Sequence, residues 1–449
     1  CPPGGGQTMI FDSDPNSPPM KLFVPAVVVM LACRPQSVSS VEPDHTARWW
    51  KGNTHTHTLW SDGDDFPDMV ADWYKQRGYH FLSITDHNTL ATEERWWRVP
   101  ATGIGREAYD KYRARFGARV HERRAGDTVS VRLRRLSEYG PELEEPGRFL
   151  LVPGEEVTQY LDRRAAHMNV LNVAEVIPAQ QGASLVEIFR RDLELVREQE
   201  QRTGREINAV LNHPNFIWSQ TAEDLLELPA LRFFEVYNGH PLVNIQGDSL
   251  HASNERIWDI VLTRRFSSDG GPLYGVATDD SHDYHRIGSD QRNSGRGWIV
   301  VRATELQADS LMAAMQRGDF YASNGVELTD VRRDGNRLAL TIAGAPGVTY
   351  TTQFIGTRRG WDTTTVALRD SAGRPVTRRY SGDVGAVLAE ARGTTPSYTM
   401  RGDELYVRAR VVSSRAKPNA SYSGEMEMAW TQPVPNYRAS AYKRRSKRI

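Results

Sequence analysis

The chain has 449 residues, with 56 basic and 56 acidic side chains and a formal net charge of zero. That length allows more than one domain and a large core, while the charge balance excludes a long-range field drawing the protein to nucleic acid or an anionic membrane. Its two cysteines, Cys1 and Cys33, both lie near the N-terminus, which excludes a disulfide framework or a cysteine-ligated zinc ribbon.

In chain order, residues 1–19 are rich in Pro and Gly, and Met20-Lys21 then introduces a short apolar run, residues 22–32, that ends at Cys33. One positive charge, an apolar core and a small residue before cysteine resemble a bacterial lipoprotein signal. The run is too short for an ordinary transmembrane helix. Residues 1–33 are therefore expected to be a leader, with the start at Met20, a lipid anchor on Cys33 and export to the periplasm or cell surface; plain secretion is the alternative. Residues 34–47 read as a polar tether.

From residue 48 to about 325, strand-like runs alternate with helical patterns, which predicts an α/β fold with a parallel sheet. Helices are expected at 65–76, where Phe66, Met69, Val70 and Trp73 share a face ahead of Gly78. Another is expected at 184–202, where Leu185, Ile188, Phe189, Leu193 and Val196 recur at helical spacing ahead of Gly204. Residues 95–147 interrupt the pattern as an insertion capping the mouth of the fold, whose arginines either form a solvated face or contact an anionic substrate. Beyond 326 the runs become short and β-like (337–342, 350–355, 363–368, 405–412), broken by Gly, Pro and Asp. They predict a small β-sandwich domain over 326–433, followed by a basic tail, 434–449.

The first strand-like run leads into Thr54-His55-Thr56-His57, with Asp62 in the loop beyond. In an extended chain His55 and His57 point the same way and can hold one cation together. Later runs end in the same residue types: 78–88 in Asp86-His87, 150–156 in Glu155-Glu156, 167–173 beginning at His167, 209–214 in His213, and 274–282 in Asp280-Ser281-His282. Six imidazoles and three carboxylates form the donor mix of zinc, iron or manganese sites.

This ordered set resembles the PHP (polymerase and histidinol phosphatase) superfamily of metallohydrolases over about residues 51–324. The phrases Glu235-Val236-Tyr237-Asn238-Gly239-His240 and Ala277-Thr278-Asp279-Asp280-Ser281-His282 look most like its CehA/McbA group. The resemblance implies a distorted (β/α)7-type barrel over 48–325, with a trinuclear metal centre at the C-terminal ends of its strands. It assigns the ligand role to Glu156, the second residue after the glycine, with Glu155 as the alternative. It also implies a partition: His55, His57, Glu156 and Asp280 on one metal, Asp62, His87 and His282 on a second, and Glu156, His167 and His213 on a third. Asp86 is expected to orient a ligating imidazole.

Two or three divalent cations (Zn, Mn or Fe) in such a set would lower the pKa of a bridging water and let hydroxide attack an ester while the metals neutralise the departing oxygen. The expected function is a phosphoesterase acting on small-molecule esters. Alternatives are a carbamate or carboxyl-ester hydrolase of the same fold, or a PHP module that binds without catalysis. His240 ends a strand-like run on the same rim and is expected to protonate the leaving group or contact substrate; His285 is a weaker candidate.

Overall fold

The computed structural model describes residues 47–436. The leader, Cys33, the tether up to residue 46 and the tail from 437 lie outside the described residues. Among the described residues no helix is long and apolar enough to cross a membrane.

The strands that open the fold run side by side in parallel: Arg48–Asn53 pairs with Phe81–Leu82, which pairs with Leu150–Leu151. A second sheet takes the order Tyr274–Thr278, Phe233–Asn238, Asn208–Leu211, Arg164–Leu171, Gly154–Leu161. Its first three strands are mutually parallel, but Gly154–Leu161, Arg164–Leu171 and Asn208–Leu211 pair antiparallel. The expectation of a parallel sheet is corrected here. Leu161-Asp162-Arg163-Arg164 makes a tight hairpin with Asp162 at φ 55°, a left-handed position that Asp tolerates better than most residues. Two isolated parallel bridges, His87↔Glu156 and Thr56↔Ser281, join the two sheets. Both lie among the ligand residue types.

Helices pack against these sheets. Leu185–Thr203 starts with the Ser184 hydroxyl accepting from the Glu187 amide and stops at left-handed Gly204, the N-cap and C-cap chemistry of an amphipathic surface helix. Its buried face, with Ile188, Phe189 and Val196, joins a large core shared with Phe234, Val236 and Trp258. Pro67–Gln76 occupies the other expected helical stretch.

The insertion folds as a three-stranded sheet of Trp96–Arg98, Thr128–Arg132 and Glu122–Ala125 with helices Ile104–Phe116 and Leu136–Leu143. It owns a core in which Tyr109, Tyr112 and Phe116 meet Trp60 and Phe66. Several of its arginines are paired within the protein: Arg115 with Asp72, Arg132 with Glu138, and Arg134 with Asp68 and Glu142. The solvated or structural reading therefore fits those residues.

Strand Trp298–Ala303 returns antiparallel to Arg48–Asn53 and pairs with Phe320–Ser323, which pairs with Met426–Thr431. Glu404–Ala416, Tyr350–Arg358 and Ala386–Arg392 extend the same sheet. Residues 48–325 and 326–433 are thus joined through one continuous sheet. A smaller sheet, Leu328–Asp334, Arg337–Ile342 and Ser397–Thr399, packs Val331, Leu338 and Leu340 against Phe354, Val407 and Ala409.

Candidate metal centre

The nine side chains named as ligands converge, most of them from beyond strand ends but Glu156 and His167 from within the hairpin strands Gly154–Leu161 and Arg164–Leu171. His55, His57, Glu156, His167, His213, Asp280 and His282 are buried, whereas the Asp62 side chain is 51% exposed and marks the open side. His55 Nε2 stands 3.1 Å from His57 Nε2, 3.2 Å from Asp280 Oδ1 and 3.6 Å from Glu156 Oε1. His57 Nε2 is 3.3 Å from Asp280 Oδ1 and 3.5 Å from Glu156 Oε2. Ligands at metal bonds of about 2.0–2.1 Å in a tetrahedron have donor atoms about 3.3 Å apart, so spacings of this order suit shared cations.

Asp62 Oδ1 lies 3.3 Å from His282 Nε2, 3.5 Å from His87 Nε2 and 3.6 Å from His57 Nδ1. Glu156 Oε1 lies 3.0 Å from His167 Nδ1 and 3.4 Å from His213 Nε2. Four overlapping groups have donor atoms close enough for one ion: His57-Asp62-His87-His282, His55-His57-Glu156, His55-His213-Asp280 and His87-Glu156-His167. The first contains the expected trio of Asp62, His87 and His282 with His57 added, and the second contains three of the four residues expected on one metal, without Asp280. In the others His167 is grouped with His87, and His213 with His55 and Asp280, so the third expected trio is divided.

Electrostatics point the same way. Burial would raise Glu156, but His87, His167 and His55 hold it well below the carboxylate range. Against burial, Asp280 is likewise held ionised, by His55 and His57. Burial, reinforced by His282 and His87, pushes His57 down to about 3. His55 is raised despite burial by Asp280, Glu235 and Glu156. Buried carboxylates are thus ionised beside an imidazole, His57, that resists protonation, and His167 Nε2 has no hydrogen-bond partner. A metal cation fits this donor set better than protons do.

Residues outside the nine fix their orientation. Glu235, fully buried, takes His55 Nδ1 at 2.6 Å and accepts from the His213 amide, the Thr278 hydroxyl and Asn238 Nδ2. A His55 proton held on Nδ1 leaves the Nε2 lone pair facing the cluster. Asn212 Nδ2 donates to Glu156 Oε1 at 2.7 Å, and Asn238 Nδ2 to Asp280 Oδ2 at 3.1 Å. Glu235, Asn212 and Asn238 were missed as site residues. Their signal was a charged or amide side chain inside or at the end of an apolar run, as in Phe233-Phe234-Glu235-Val236.

Glu155 Oε1 accepts from the Ile177 amide, away from the cluster, because successive strand residues face opposite sides. Of the two glutamates it is Glu156 that joins the ligand groups. Asp86 departs from expectation. Its oxygens accept from the Thr58 amide and hydroxyl and from the Ser61 hydroxyl, so it organises the loop that carries Asp62 instead of orienting an imidazole. Asp280 itself has φ 51°, a left-handed backbone that for a non-glycine residue costs about 1–3 kcal/mol and persists when surrounding contacts impose it.

His240 packs against His282 and Phe216 with ring centroids 5.7 and 5.8 Å away. Its Nδ1 accepts from the Leu242 amide, so Nε2 carries the proton, and burial pushes its pKa down to about 4. His285 lies apart, between Lys111 Nζ at 2.9 Å and Asp65 at 3.5 Å. A cavity of about 500 Å³ lined by Arg190, Asn208 and Phe233 sits at the opposite, N-terminal ends of the strands.

No family profile matches the sequence, and no curated protein matches it. Among solved structures, the chain is similar to a two-domain Bacteroides vulgatus protein containing a predicted PHP-like metal-dependent phosphoesterase, at 14% identity, 87% of this chain, 96% of that chain and a TM-score of 0.36. It is similar to a Bifidobacterium adolescentis protein assigned as a metal-dependent phosphoesterase, at 13% identity, 54% of this chain, 90% of that one and a TM-score of 0.31. A Chromobacterium violaceum amidohydrolase with bound sulfate gives 14% identity, 54% and 90% coverage and a TM-score of 0.25. At these scores the likenesses assign no residue role, and the site is read from its own atoms.

Proposed function

We propose that the protein is a metal-dependent hydrolase of the PHP superfamily, CehA/McbA-like, that cleaves small-molecule esters, phosphate esters foremost. The observation that carries this reading is the set of buried carboxylate oxygens and imidazole nitrogens brought close enough together to share cations. Divalent Zn, Mn or Fe held by the nine residues would acidify water and neutralise charge on the ester oxygens. The chain's own groups do the remaining work. Glu235 keeps His55 in its ligating tautomer, Asp86 pins the loop bearing Asp62, and Asn212 and Asn238 fix the carboxylates. His240, neutral with its proton on Nε2, donates a hydrogen bond to a substrate oxygen.

Hydrolysis of carbamates or carboxyl esters is the second reading, supported by the pairing of nearby cations. Arg292 forks onto Asp283 and Arg286 onto Glu107, which favours an ester of low charge over a polyphosphate. Assay of the metal-reconstituted protein on phosphomonoesters, phosphodiesters and carbamates separates the classes; inactivity on all of them would count against hydrolysis. His240→Asn is expected to slow alkyl and aryl esters alike. A loss about a hundredfold or more greater on alkyl esters would instead make His240 a general acid. Export through Cys33 belongs to the same proposal, and Cys33→Ser is expected to release the protein from membranes or block its maturation.

A further inference from the structure

The zero net charge of the chain is unevenly spread. At the N-terminal ends of the strands Phe233–Asn238 and Tyr274–Thr278, opposite the metal ligands, a cavity of about 690 Å³ is lined by four arginines, Arg232, Arg317, Arg333 and Arg359, and by one carboxylate, Asp269. The C-terminal region contributes Leu405 and the strand Val434–Pro435.

Printed contacts gather three of the guanidinium groups around a single turn, where the helix Ala308–Gln316 ends at Arg317 and left-handed Gly318 (φ 73°). Arg232 Nη2 donates to the Gln316 carbonyl at 2.5 Å, Arg333 Nη2 donates to the Gly318 carbonyl, and Arg317 Nε, between them, pairs with Asp319 at 3.2 Å. Arg232 and Arg359 form no ion pair with a carboxylate among the described residues. A helix C-terminus bears about half a negative charge, and Asp319 and Asp269 add two more, which together fall short of four guanidiniums. The chain's own continuation enlarges the excess: Asn436 lines the cavity, and residues 437–449 contain six basic side chains and no acidic one. A cleft walled by one sign of charge focuses the field and concentrates the opposite ion.

We propose that this cavity is a second ligand site, remote from the metal centre, for a phosphate group carried on an apolar or aromatic body. The planar forks of arginine match phosphate oxygens in pairs, while Phe266, Tyr274 and Leu405 supply an apolar wall for the rest of the ligand. Its volume falls within the range of small-molecule sites, about 300–1,000 Å³. A free phosphate ester and the head group of an anionic phospholipid present the same chemistry to these residues.

The test uses the full chain carrying Glu156→Ala, so that the metal centre neither binds nor hydrolyses the probe. Phenyl phosphate, titrated by calorimetry, is expected to bind with a Kd below about 1 mM, more tightly than inorganic phosphate. Adding Arg317→Gln and Arg359→Gln together should weaken it about tenfold or more, with the unfolding midpoint near that of the parent because both side chains are exposed. Sedimentation with phosphatidylglycerol vesicles severalfold above that with phosphatidylcholine vesicles, dependent on the same two arginines, identifies a lipid head group as the source; phenyl phosphate binding without that preference identifies a free ester. No saturable binding of phenyl phosphate together with no vesicle preference, or binding that the two arginine substitutions leave unchanged, overturns the proposal. Either failure leaves the hydrolase reading standing, since neither arginine belongs to the metal centre.

Discussion

Two buried charged clusters in this molecule solve the same problem in different ways. Where the helix Asn254–Ser267 meets the strand Glu404–Ala416, Arg408 donates to Asp259 at 2.7 and 2.9 Å and forms an ion pair with Glu255 at 3.0 Å, while Arg410 takes Glu255 at 2.9 Å. The Tyr406 hydroxyl adds a further donor to Asp259 at 2.8 Å. There the chain supplies its own cations. At the strand ends, by contrast, the ion-pair partners of Glu156 and Asp280 among the described residues are imidazoles alone, and an imidazole lone pair turns inward. Buried carboxylates paired with metal-ligating imidazoles, with no Arg or Lys ion pair to them among the described residues, fit a cation from outside.

Breaking each cluster should separate the two. The largest effect is expected for Glu156→Ala, which removes a carboxylate reaching several ligand groups. Bound metal and turnover should fall to background while circular dichroism and the unfolding midpoint of the metal-free protein stay near wild type. Arg408→Ala should do the opposite: leaving Asp259 and Glu255 without their buried partner costs about 3–5 kcal/mol in denaturant unfolding, with metal binding retained wherever the protein remains folded.

Glu235→Ala probes the orienting layer and should weaken metal affinity by about 10- to 100-fold without abolishing it, as read by competition with a chelating dye. A loss as complete as that of Glu156→Ala would make Glu235 a ligand.

Asp192 offers a third way to manage buried charge, with a proton. It is buried, one oxygen accepts from the Gln180 amide and the other is unpartnered, and burial pushes its pKa up to about 7. A raised folded-state pKa means that stability present below about pH 4 is lost as pH rises through 7. Asp192→Asn should therefore gain stability relative to wild type between pH 5 and pH 8, by about 2 kcal/mol. A difference that does not change with pH would mean that Asp192 titrates normally.

Much of the site was legible in the sequence, because strand ends bearing His or Asp stand out against apolar runs. The helix Leu185–Thr203 was legible for a similar reason, its apolar spacing lying between Ser184 and Gly204. What the sequence concealed depended on contacts distant along the chain. Asp86 could not be assigned to the Thr58 loop without knowing that His87 bridges Glu156, and nothing local to Glu235 paired it with His55, 180 residues away. The hairpin Gly154–Leu171 was hidden because its turn, Asp162-Arg163, carries neither Gly nor Pro. The continuity of the sheet across residue 325 was equally silent, since antiparallel partners such as Phe320–Ser323 and Met426–Thr431 are separated by about a hundred residues whose texture suggests a separate domain.

The central claim is that the nine converging side chains hold cations, and elemental analysis of the purified protein, after reconstitution with Zn, Mn or Fe and removal of free metal, tests it most directly. Two to three equivalents per chain in wild type, falling in His57→Ala and Glu156→Ala, is the predicted result; less than one equivalent in the folded wild type with each of the three metals would contradict it.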